Sequence, residues 1–133
     1  MVQARAKTAP LEEEEQMVFV EWLQIHQIPH FHCPNEIGGS SRAVKVRAIK
    51  MKKMGVSKGV PDLFVFIPIK GITGMIDSYQ PLAIEMKRTK GSTTNPEQKE
   101  WLKILELAGI PCAVCKGADA AIHFVEQIIE EIK

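Results

Sequence analysis

The chain has 133 residues, of which 45% are hydrophobic and 25% charged, and its formal net charge is +1. That length fits a single domain, 1–133, and the composition excludes disordered and membrane-embedded classes. No apolar run approaches the roughly 18 residues of a membrane-spanning helix, and the N-terminal MVQARAKTAP lacks the apolar stretch of a signal peptide, so the expectation is a cytoplasmic protein with no membrane partner.

Residues 11–27, LEEEEQMVFVEWLQIHQ, place Phe19, Trp22, Leu23 and His26 at helical intervals and predict an amphipathic helix ending before Pro29. HFHCP follows as a short strand, and NEIGGSS as a turn-rich loop. A second helix is predicted from the basic segment up to Gly55. Between Arg42 and Lys58 this segment carries Arg42, Lys45, Arg47, Lys50, Lys52, Lys53 and Lys58 with no acid among them. The near-neutral total therefore hides a cationic face, which fits either a solvated helix surface or a phosphate-binding one.

The turn-forming GVSKGVPD leads into LFVFIPI, a predicted strand of about six residues. Gly71, Gly74, Asp77 and Ser78 make 70–80 a hairpin connection, and PLAIEMKR is the returning antiparallel strand. Asn95 as an N-cap, Pro96 at the first helical position and Gly109 at the end delimit a third helix. IPCAVCK is one more strand, and Asp119 opens a final helix. This order predicts an α/β fold, a mixed β-sheet with helices packed on its faces. The three cysteines, Cys33, Cys112 and Cys115, form no disulfide framework, and the C-x-x-C of Cys112 and Cys115 has no second pair to close a zinc site. They read as core thiols. His26, His30, His32 and Cys33 have zinc-binding residue types without a four-ligand spacing, and read as core or surface residues.

The strand PLAIEMKR sets Leu82, Ile84 and Met86 on one face, and Ala83, Glu85 and Lys87 on the other. Solvent exposure or a local salt bridge would account for the charged pair. Asp62, however, precedes the partner strand, and antiparallel pairing brings it toward Glu85. Two carboxylates held together call for a cation between them. A hard divalent ion bound by Asp and Glu, with a lysine alongside, is an arrangement suited to phosphodiester hydrolysis.

Pro61-Asp62 followed by Glu85-Met86-Lys87 resembles the PD-(D/E)xK nuclease signature. GVSKGVPDLFVF, LAIEMKRTKG, NPEQKEWLKILELAGIPCAV and EEQMVFVEWL together resemble the VRR-NUC domain over nearly the whole chain. The resemblance implies a restriction-endonuclease-like core. It implies Asp62 and Glu85 as ligands of Mg²⁺ or Mn²⁺, the backbone carbonyl of Met86 reaching the same ion, and Lys87 as the catalytic lysine. The family's N-terminal glutamate aligns with Glu14, with Glu15 as the alternative, while helix-dipole stabilisation accounts for Glu12 and Glu13. Gln98 matches the family's glutamine, yet it also stands three residues after Asn95, where a capping box uses it. Asn35 and Glu36 match a loop near the active site. The basic residues Arg42, Lys45, Arg47, Lys50, Lys52, Lys53 and Lys58 become DNA-phosphate contacts, with Lys58 held near Asp62 by the tight turn. The activity implied is a metal-dependent endonuclease acting on branched DNA, resembling Holliday-junction resolvases of phage and bacterial type. It would leave 5′-phosphate and 3′-hydroxyl ends and work as a homodimer. A non-cleaving nucleic-acid-binding module, or a nuclease on flaps, linear DNA or RNA, is the alternative.

Overall fold

A computed structural model describes residues 11–34, 41–89 and 93–133. In chain order the described elements are α1 (Glu12–Ile25), β1 (His30–His32), α2 (Arg42–Lys53), β2 (Leu63–Lys70), β3 (Ile76–Lys87), α3 (Pro96–Leu107), β4 (Cys112–Lys116) and α4 (Ala118–Ile132). The order matches that expected from the sequence. The four strands form one mixed sheet in the order β1-β2-β3-β4, antiparallel from β1 to β3 and parallel between β3 and β4. A parallel pair cannot be joined by a tight turn, and α3 supplies the crossover.

The strands alternate as their sequences dictate. Leu63, Val65 and Ile67 of β2 and Leu82, Ile84 and Met86 of β3 face the core, where they meet Phe19 and Leu23 of α1 and Ala121, Val125 and Ile128 of α4. Phe19 and Leu23 are one helical turn apart, so α1 buries a single stripe. Among the described residues no helix is long and apolar enough to cross a membrane.

The helix ends follow local chemistry. α1 stops at Ile25, two residues short of the sequence estimate, because Gln27 takes φ 55° and Pro29 follows. The Ile28 amide donates to the Leu23 carbonyl at 3.0 Å and the Gln27 amide to Gln24 at 3.1 Å, which closes the helix in a Schellman motif. α2 and α3 end the same way, at Gly55 and Gly109.

The hairpin differs more from expectation. Its ladder continues through Ile69↔Ser78 to Lys70↔Ile76, so β2 has 8 residues, β3 has 12, and only 71–75 remain as the turn. Main-chain pairing is indifferent to side-chain polarity where both faces meet water, and Asp77, Ser78 and Tyr79 are exposed. Composition alone therefore reads this arm as loop.

Between α2 and β2 the chain makes a close approach to α3. Gly59 takes φ +84°, and a Cβ there would come within 2.5 Å of the Glu97 backbone carbon. Replacing it, Gly59→Ala, is expected to destabilise the protein by at least about 2 kcal/mol through left-handed strain and the backbone clash. Thermal unfolding measures the loss, and an unchanged midpoint would show that this approach is slack.

A candidate metal centre at the end of the β2–β3 hairpin

The register Leu63↔Ile84 carries the chain back one residue to set Asp62 against Glu85. Asp62 is half-buried, and its Oδ2 accepts a hydrogen bond from the Met86 backbone amide at 2.8 Å. Met86 itself points into the core. The carboxylate of Asp62 is thus fixed by the strand that bears Glu85.

Glu85 is 2% exposed and Lys87 8%, so neither is on a solvated face. Lys87 Nζ lies 3.4 Å from Glu85 Oε2, and Gln98 Nε2 donates to the same oxygen at 2.6 Å. Glu85 Oε1 is buried and has no hydrogen-bond partner among the described residues. An unsatisfied carboxylate oxygen in the interior is costly, and it is the group that a bound cation would satisfy. Burial, followed by repulsion from Asp62, pushes the Glu85 carboxyl up to about 7, against the opposing pull of Lys87.

A third carboxylate comes from α1. Glu12, Asp62 and Glu85 each offer an oxygen, and the three atoms lie within 4.8 Å of one another. All-oxygen carboxylate donors suit a hard divalent cation such as Mg²⁺ or Mn²⁺. The cluster opens into a cleft of about 520 Å³ that is also lined by Lys87, Arg88, Gln98, Gln16 and His32.

Several residues named from sequence are placed differently. Glu14 is exposed, and its Oε2 accepts the Leu11 amide at 3.2 Å, so it caps its own helix. Glu15 accepts the Ala118 amide through Oε1 at 3.2 Å and thereby caps α4. Glu12, assigned above to the helix dipole, is the α1 carboxylate at the cluster. Helical phase held this signal: at 100° per residue Glu12 lies 20° from Phe19 around the helix axis, and Glu14 about 140° away. Gln98 both closes the capping box and contacts Glu85. Its Oε1 accepts the Asn95 amide at 3.1 Å and its own amide donates to Asn95 Oδ1 at 2.9 Å, which leaves Nε2 for Glu85.

Arg42, Lys45, Arg47, Lys50, Lys52 and Lys53 are exposed along α2, which buries no residue, and none of them lines the cleft. Lys58 is exposed and does not line it either; the turn that holds Lys58 packs through Gly59 against the start of α3. Asn35 and Glu36 lie outside the described residues. His32, Gln16 and Arg88 line the cleft, and spacing in the sequence does not single them out. Cys115 is a buried free thiol of the core and Cys112 a half-buried one; burial pushes both up to about 11, with Glu106 adding to the shift of Cys112.

The family model for the VRR-NUC domain matches residues 3–119. A solved structure titled "VRR_NUC domain protein" superposes with a TM-score of 0.69 at 28% identity, over 92% of this chain and 91% of that one. No curated protein matches the sequence.

Without metal, Glu85 binds its proton more tightly folded, near 7, than unfolded, near 4.5. The unfolded chain then carries fewer protons between those values, and stability falls as pH rises from about 4.5 to about 7. Chemical denaturation of chelator-treated protein across that window is expected to show the fall, Glu85→Gln to flatten it, and a flat wild-type profile would contradict the shift.

Proposed function

The chain belongs to the VRR-NUC domain family, a family of nuclease domains, and we propose that it is a divalent-metal-dependent endonuclease that hydrolyses DNA phosphodiesters, with branched DNA as its preferred substrate. The observation that carries the reading is the meeting of Glu12, Asp62 and Glu85 within 4.8 Å beside a buried lysine. Binding alone requires no such cluster.

In this reading Glu12, Asp62 and Glu85 hold Mg²⁺ or Mn²⁺, with the backbone carbonyl of Met86 alongside. Bound there, the ion would polarise the phosphoryl oxygen and lower the pKa of the attacking water. Lys87 acts from the same strand as Glu85: its ammonium donates to the scissile phosphate and offsets the charge that develops there. Gln98 holds Glu85 in place so that its second oxygen, Oε1, faces the cation. The water oxygen bonds to phosphorus and gives up a proton to solvent, the bond to the 3′-oxygen breaks, and that oxygen takes up a proton from solvent. The products are a 5′-phosphate and a 3′-hydroxyl.

The six cations of α2, with Lys58, bind phosphates away from the scissile bond. Such contacts give affinity that falls with salt and little sequence preference. A two-fold symmetric junction needs two coordinated cuts, so the single domain acts as a homodimer.

Cleavage of four-way junctions, flaps, linear duplex and single strands, each with Mg²⁺, Mn²⁺ or chelator, tests the proposal. Junction cutting is expected only with metal, and Lys87→Ala is expected to lower it at least about a hundredfold while leaving DNA binding nearly unchanged. Cutting in chelator would contradict the metal role. Equal nicking by Lys87→Ala would contradict the lysine's, and equal cutting of linear duplex would remove the branch preference.

A further inference from the structure

β1 is a three-residue edge strand, yet its last residue and the one that follows both meet Asp62. The Cys33 backbone amide donates to the Asp62 carbonyl at 2.7 Å, and His32 Nδ1 lies 2.8 Å from the same oxygen. A backbone carbonyl only accepts, so Nδ1 carries the proton and the tautomer of His32 is settled by this bond. The same ring nitrogen also lies 3.1 Å from the side-chain amide nitrogen of Gln16. A half-turn of that amide presents its oxygen instead, so that the Asp62 carbonyl and the Gln16 oxygen share the single Nδ1 proton in a three-centre bond.

Gln16 stands four residues after Glu12, on the same face of α1. His32 therefore sits between the two elements that deliver carboxylates from outside β3: α1, which brings Glu12, and the start of β2, which brings Asp62. We propose that His32 is a positioning residue that braces α1 against Asp62 through its Nδ1–H and so fixes the separation of the Glu12 and Asp62 carboxylates. The proposal rests on the reading of Glu12, Asp62 and Glu85 as a metal centre. A group that orients a ligand in this manner acts on metal affinity, typically about ten- to a hundredfold when removed.

The two ring nitrogens can be told apart by substitution. Asn places its amide nitrogen close to the position of Nδ1, whereas Gln places its nitrogen nearer to that of Nε2. Mn²⁺ is titrated into the metal-free full-length chain, with free ion read by electron paramagnetic resonance, and thermal unfolding of each metal-free variant is recorded alongside. His32→Ala is expected to weaken Mn²⁺ binding about tenfold or more, His32→Asn to stay within about threefold of the parent, and His32→Gln to behave as His32→Ala. Unchanged affinity in His32→Ala overturns the brace. Rescue by Gln and not by Asn overturns it too, since the effect would then belong to Nε2. Affinity losses that follow only the unfolding midpoint, whichever residue is introduced, overturn it in favour of a general packing role. If Asp62→Asn binds Mn²⁺ as the parent does, the metal centre itself fails, and that result separates the two readings.

Discussion

Glu85 lies on a strand whose neighbours Ile84 and Met86 are sealed in the core, and its own carboxylate is 2% exposed. A charge so placed has to be balanced by its surroundings. The protein supplies one ion pair from Lys87 and one hydrogen bond from Gln98, both to the same oxygen. The second oxygen is buried without a hydrogen-bond partner among the described residues, and the neighbouring Asp62 adds negative charge instead of removing it. That balance is met either by a proton, which Glu85 holds up to about pH 7, or by a cation, and the surrounding groups converge on this carboxylate.

The supporting elements divide the work. β3 provides Glu85 and Lys87, and its Met86 amide fixes Asp62. α3 is anchored at its start by the Asn95–Gln98 capping box, and the same Gln98 reaches Glu85, so a helix terminus and a buried carboxylate are stabilised by opposite ends of one amide. The close approach of Gly59 to the backbone of Glu97 and Gln98 holds that terminus against the turn that leads to Asp62. On the opposite side of the sheet α1 and α4 share the core, and Glu15 joins them by capping the first turn of α4. Glu12 therefore belongs to a helix that is fixed by packing at Phe19 and Leu23 and by a cap at Glu15.

Most of the fold was legible because its signals are local. Pro and Gly punctuation, the Asn95 cap and strand alternation each act within a few residues. The meeting of Asp62 with Glu85 was legible for the same reason, since a hairpin converts sequence order into register. The arm beyond Ile69 was not, because its polar side chains obscure a ladder made by the main chain. A family pattern laid over four consecutive glutamates aligns with Glu14 or Glu15, whereas the helical phase set by Phe19 and Leu23 turns Glu12 toward Asp62 and Glu85. His32 was hidden for a different reason. Its partner is the backbone carbonyl of a residue 30 positions away, and no spacing rule encodes that contact. The same holds for Gln16, whose part depends on where β1 docks.

The central claim is that Glu12, Asp62 and Glu85 form a single cation site. Anomalous diffraction from crystals grown with Mn²⁺ tests it most directly. A single cation site gives one anomalous peak among the three carboxylates, with Glu85 Oε1 in the inner coordination sphere. Ordered crystals with no peak there, or with Mn²⁺ bound only elsewhere, would contradict it.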